Sequence, residues 1–173
     1  MARTVIKGGT VVTATEQSQS DVLVDGEKVA ALAASGSHDW LAGADKVIDA
    51  TGKYVIPGGI DVHTHMELPF GGTFAADTFE TGTRAAAWGG TTTIIDFAVQ
   101  TKGQNLMDGF EAWMGKADGN CAIDYGFHMI FGEVTDESLK YMDISFDDGV
   151  ISFKMFLTYR GVLYLTDGNI FSV

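Results

Sequence analysis

The sequence predicts an α/β fold in two parts, and three features carry that prediction. Residues 1–57 are a series of short β-branched runs broken by turn dipeptides. From Pro57 the pattern changes to strand, then helix, repeated. Four of the strands in residues 58–173 alternate with helices, which implies a parallel sheet covered by helices.

In the first part, Thr4-Val5-Ile6 and Thr10-Val11-Val12 read as two short strands separated by Gly8-Gly9. Asp21–Val24 and Lys28–Leu32 flank Asp25-Gly26, a dipeptide favoured in tight hairpins. A polar loop, 35–45, leads to Lys46–Asp49 and Tyr54–Ile56. Strands at this spacing suggest a small β-sandwich whose partner sheet is not evident.

In the second part, Gly59–His65 is a strand and 76–88 a helix closed by Gly89-Gly90. Thr91–Val99 is the next strand. Asn105 caps a helix with Leu106, Phe110, Trp113, Met114 and Ala117 on its apolar face. Ala122–Phe131 is the third strand, 135–146 a helix carrying Leu139, Met142 and Phe146, and Val150–Leu157 the fourth strand. Thr166 onward starts like a capped helix, and the chain is expected to be truncated there.

Composition narrows the function. Eleven Lys and Arg against 23 Asp and Glu give a net charge of −12, which argues against nucleic acid and anionic membranes as partners. At 46% hydrophobic residues the chain can build a packed core, so disorder is a poor fit. One cysteine, Cys121, rules out an intrachain disulfide and a Cys-rich zinc site. The N-terminus shows no signal peptide and no segment reaches the length of a membrane span, so a cytoplasmic protein is expected.

Two features bear on chemistry. His63 and His65, two apart on a strand, share one face, and at the C-terminal end of a barrel strand that face opens on the mouth. Two adjacent imidazoles make a half-site for zinc or a similar ion. Lys154 lies among Phe153, Met155, Phe156 and Leu157, where an ammonium is costly to desolvate. The strand leaves two readings open: a lysine snorkelling from an edge, or a reactive amine of lowered pKa that adds carbon dioxide to give a carbamate ligand.

Pro57-Gly58-Gly59-Ile60-Asp61-Val62-His63-Thr64-His65, with Pro69-Phe70-Gly71-Gly72-Thr73, resembles the start of the cyclic-amidohydrolase barrel. So do Gly89–Phe97 and Ser152-Phe153-Lys154-Met155-Phe156. Together, over essentially the whole chain, they resemble the dihydropyrimidinase and D-hydantoinase family. The resemblance implies the first half of a TIM-like (β/α)8 barrel, preceded by strands of a small β-sandwich domain. It implies two divalent metal ions, usually zinc in this family, the more buried one bound by His63 and His65 and both bridged by N6-carboxylated Lys154. A bridging hydroxide would open the ring amide of a cyclic ureide or imide, a dihydropyrimidine or hydantoin, to an N-carbamoyl amino acid. Tyr159 would donate to the developing oxyanion.

Other residues carry weaker expectations. Asp96 is a candidate to orient a histidine from behind the ligands, a structural hydrogen bond being the alternative. Phe70 and Phe156, with Leu68, sit near the expected mouth and are candidates to shape the substrate pocket or simply to pack. His128 reads as core, and His38, in a polar loop, suggests nothing.

The family's site needs two further histidines and an aspartate from later strands, and none is found here. A complete barrel takes about 250 residues, so the chain alone is expected to be inactive, the activity belonging to a complete protein that is expected to be a homo-oligomer, a tetramer among relatives. The alternatives are a non-catalytic dihydropyrimidinase-like scaffold protein, which the presence of His63, His65 and Lys154 weighs against, and a dihydroorotase or allantoinase type of cyclic amidohydrolase.

Overall fold

The computed structural model describes residues 2–173, which divide into two compact units, one running to Pro57 and the other Gly58–Val173. The first is built from β1 (Arg3–Val12), β2 (Gln17–Asp25), β3 (Lys28–Ala34), a short 3-10 turn at Trp40–Gly43, β4 (Lys46–Asp49) and β5 (Tyr54–Val55). They form one sheet in the order β3-β2-β1-β4, with β5 also on β1. Asp25 and Lys28 pair across the expected hairpin. Val5, Val11, Val22, Leu23 and Ala50 are buried on this sheet.

The two short strands expected around Gly8-Gly9 are one continuous strand. The glycines bring a register shift between Ile6 and Gly9, with Gly8 at φ 72°, a conformation that needs glycine. Asp21 holds the irregularity: its Oδ1 accepts from Gly8 N at 2.7 Å and from Ser35 Oγ at 2.9 Å. Its Oδ2 accepts from Gly36 N at 3.2 Å and lies 3.1 Å from His38 Nε2.

The second unit contains β6 (Gly59–Thr64), the hairpin β7 (Pro69–Phe70) and β8 (Thr73–Phe74), α1 (Phe79–Gly89), β9 (Thr91–Val99), α2 (Leu106–Ala117), β10 (Asp124–Ile130), α3 (Asp136–Asp147), β11 (Phe153–Lys154) and α4 (Asp167–Ser172). Strands β6, β9, β10 and β11 make a parallel sheet in chain order, the arrangement of half a (β/α)8 barrel. Thr78, Asn105 and Thr135 each cap a helix with a reciprocal capping box. Phe79, Ile94, Ala98, Leu106, Phe110 and Trp113 are among the side chains buried between the sheet and its helices.

Two expectations are corrected. The fourth strand shrinks to Phe153–Lys154, because β10 is its sole neighbour in the sheet among the described residues. The helix α3 turns Ser138 and Ser145 inward, with Tyr141 and Met142 against the core, and leaves Phe146 64% exposed. Small serines let the helix lie close to the sheet, and the third apolar position falls outside the contact. Among the described residues, no helix is long and apolar enough to cross a membrane.

Candidate metal and substrate site

Strand alternation gives the parallel sheet two faces. Phe127 and Met129 of β10 point into the helix-covered core, so His128 between them points to the other side. That side holds the candidate site residues. The rings of His63 and His65 lie 5.1 Å apart, nearly perpendicular. Phe97 sits at the centre, its ring 4.7 Å from His63, 5.1 Å from His65 and 4.8 Å from His128. The Nζ of Lys154 stands 4.2 Å over the Phe97 ring and 3.4 Å from His63 Nε2.

Burial shifts the balance of two of these groups toward their neutral forms. Burial pushes the His65 pKa below its ordinary value, helped by the charges of Lys154 and His63 and opposed by Asp96. Burial also lowers the Lys154 pKa. Metal ligands must be deprotonated, so both shifts run in the direction ligation requires. His65 Nδ1 is buried with no hydrogen-bond partner. An orphaned imidazole nitrogen, a second imidazole and a poorly partnered lysine fit part of a nitrogen- and oxygen-ligated metal site. Among the described residues, no group of three or more His, Cys, Asp or Glu is placed to hold a metal, so this ligand set is partial.

Asp96, for which orienting a histidine and a structural hydrogen bond are both open in the sequence, makes structural hydrogen bonds. It points to the helix side of β9 and bonds to no histidine. Its Oδ2 accepts from Thr64 Oγ1 at 2.7 Å and Met66 N at 2.8 Å, and its Oδ1 from Phe97 N at 2.8 Å and Trp113 Nε1 at 3.1 Å. Alternation explains the arrangement: Thr64 and Met66 flank His65 and face the opposite way. Burial raises the Asp96 pKa against these four donors.

Tyr159, Phe70 and Phe156 come together. The Tyr159 ring lies 5.1 Å from Phe70 and 5.4 Å from Phe156, edge-on to both. Tyr159 has φ 62°, in the left-handed region, and its carbonyl accepts from the N–H groups of Val162, Leu163 and Tyr164. Non-glycine residues held so are disfavoured by 1–3 kcal/mol or so unless their surroundings fix them. These aromatic residues line a cavity of about 560 Å³ together with His65, Lys154 and Trp113. Its size and mostly apolar lining are those of a small-molecule site.

Sequence reasoning missed four contributors. Phe97 was legible in principle, since it alternates with Asp96 on a predicted strand. Trp113 was assigned to the core, where it also donates to Asp96. Gln100, fully buried at the end of β9, accepts from Gly132 N and Glu133 N and donates to Gln104 O, tying two rim loops together. His128, read as core, is half-buried, with Nε2 3.0 Å from Val62 O and Nδ1 on Ser152 Oγ.

Comparison with known proteins adds an independent line. A model of the amidohydrolase family matches residues 54–140. A D-hydantoinase from Streptomyces coelicolor is 62% identical over 170 residues, covering 98% of this chain and 36% of that protein. A D-hydantoinase from Geobacillus stearothermophilus is 48% identical, covering 96% of this chain and 35% of that protein. The crystal structure of dihydropyrimidinase from Brevibacillus agri superimposes with a TM-score of 0.91 at 45% identity, covering 98% of this chain and 36% of that one. The chain therefore spans about a third of the length of the relatives it matches.

Proposed function

The chain belongs to the amidohydrolase family, and on that premise we propose that it supplies the first ligands and one wall of a site that hydrolyses the ring amide of dihydropyrimidines or hydantoins to N-carbamoyl amino acids. The observation that carries this is the approach of Lys154 Nζ to 3.4 Å from His63 Nε2, beside an unpartnered buried nitrogen of His65. The names of the D-hydantoinase and dihydropyrimidinase relatives support the substrate class. Activity belongs to a chain that adds the remaining ligands.

His63 and His65 would hold a divalent metal ion, zinc in this reading, and Lys154, once its amine is carboxylated, would be a further ligand. Bound metal would supply Lewis acidity there. Carboxylation is balanced: the lone pair of the neutral Lys154 amine attacks the carbon of carbon dioxide, and one N–H proton leaves to solvent. The burial that lowers the Lys154 pKa raises the fraction of free amine available for this step. Tyr159 donates its hydroxyl hydrogen to the carbonyl oxygen as negative charge develops there. Phe70 and Phe156 exclude water and set the plane of the ring. Asp96 acts at one remove, fixing the backbone on either side of His65 through Thr64 and Met66. The net charge of −12 disfavours nucleic acid as a partner, and we read the complete protein as a cytoplasmic homo-oligomer.

The test is hydrolysis of dihydrouracil and a 5-substituted hydantoin by the full-length protein. Activity is expected to vanish on chelation and in Lys154→Ala, and to fall about 10²- to 10³-fold in kcat for Tyr159→Phe, as for loss of one oxyanion donor. Full activity after complete removal of metal would overturn the reading.

A further inference from the structure

Strand β6 is not regular where it carries His63. Asp61 pairs with Ile94 of β9 and Thr64 with Asp96, so Val62 and His63 together stand opposite the single residue Ile95. That is a β-bulge, a device that re-aims a side chain beside a site. Val62 and His63 have no register partner in β9. On one side of the bulge His63 N donates to Asp61 Oδ1 at 3.0 Å. On the other, the Val62 carbonyl is met at 3.0 Å by His128 Nε2, from a strand two places away in the sheet.

We infer that His128 is a positioning residue: its Nε2–H, donated across β9 to the Val62 carbonyl, pins the bulge that aims His63 at Lys154. A carbonyl can only accept, so Nε2 must carry the hydrogen. In the neutral ring Nδ1 is then bare and accepts from the Ser152 hydroxyl. Ser152 lies two residues before Lys154, so one imidazole ties the backbone next to His63 to the segment that carries Lys154. Phe97 packs against the rings of both His63 and His128 and keeps the strut from tilting. Without this donor the Val62 carbonyl loses its side-chain tie to β10, and the bulge would be free to relax.

The consequence for metal binding rests on the function proposed above. The strut itself does not, and the experiment separates the two. The amide nitrogen of Gln can occupy the place of imidazole Nε2, whereas that of Asn reaches only the place of Nδ1. Zinc affinity of the chain is measured by competition with a chromophoric chelator for the wild type, His128→Gln, His128→Asn and His63→Ala, with a thermal unfolding curve for each. His128→Asn is expected to weaken zinc binding by roughly 10- to 100-fold, the usual cost of losing support behind a ligand. His128→Gln is expected to restore it to within about threefold. Equal losses in Gln and Asn, or wild-type affinity in Asn, would overturn the proposal. If the wild type binds no zinc, the partial ligand set does not hold the metal by itself, and if His63→Ala binds it unchanged, the metal reading fails; in either case the strut is judged on the His128 ring nitrogens by NMR. A hydrogen on Nε2, bonded to the Val62 carbonyl, supports the strut; a bare Nε2 with hydrogen on Nδ1 overturns it.

Discussion

The two faces of the parallel sheet each hold a charged side chain withdrawn from water, one fully and one partly, and they treat it in opposite ways. On the helix side, Asp96 is fully buried and every lone-pair direction is answered by four donors. On the other side, Lys154 is half-buried and lies over the Phe97 and Phe156 rings, and among the described residues its amine has one hydrogen-bond partner, His63. A carboxylate with four donors is a fixed point of the structure. An amine that has lost water and gained a single nitrogen partner is, in the function proposed above, the one available for chemistry. Satisfaction of hydrogen bonds, more than burial, separates these two charges.

That contrast can be broken by mutation, and the largest effect is expected at Asp96. Asp96→Leu strands the Thr64 hydroxyl, the Trp113 indole N–H and two backbone N–H groups. It should cost about 3–5 kcal/mol in urea unfolding, the scale for breaking a buried charged network. Trp113→Phe keeps the packing and removes one of the four donors. A loss of about 1.5–3 kcal/mol is expected, as for a hydrogen bond to a charged group. A smaller loss than 0.5 kcal/mol or so would show that the remaining donors suffice.

At Lys154 the expected sign is different. Lys154→Met removes a partly desolvated ammonium and keeps the stem, so stability should stay within about 1 kcal/mol of the wild type or rise. A loss as large as that of Asp96→Leu would erase the distinction between the two faces.

The smallest effect concerns a third charged group, the Asp21 carboxylate in the first unit. Burial works to raise its pKa, but the N–H groups of Gly8 and Gly36, the Ser35 hydroxyl and the charge of His38 together hold it below the ordinary value. A depressed folded pKa gives stability that is fully present above the unfolded value of about 3.9 and is lost as pH falls through the folded value. Asp21→Asn is expected to flatten the acid limb of the stability curve in that window and to leave the neutral region less stable.

Much of this was legible in the sequence where local signals agree. Strand β9 has the expected bounds because the αL-capping Gly90 precedes a β-branched run. Helix α2 starts where Asn105 can cap it and buries the expected face. Lys154 stood out because an ammonium in an apolar run is costly wherever the strand lies. What escaped depends on register and distance. Gly8-Gly9 carries turn chemistry, yet it produces an irregularity inside one strand because β2 continues alongside. The bulge at Val62 and His63 exists only relative to β9. The partners of His128 lie 66 and 24 residues away in sequence, so nothing local separates it from a core histidine.

The central claim, that Lys154 is a reactive amine poised beside His63 and His65, is tested most directly by native mass spectrometry of the chain prepared with zinc and bicarbonate. The account predicts compact ions carrying zinc and the added mass of one carbon dioxide, with the carbon dioxide missing from Lys154→Met. Compact zinc-bearing ions without that mass, or carbon dioxide uptake undiminished in Lys154→Met, would contradict it.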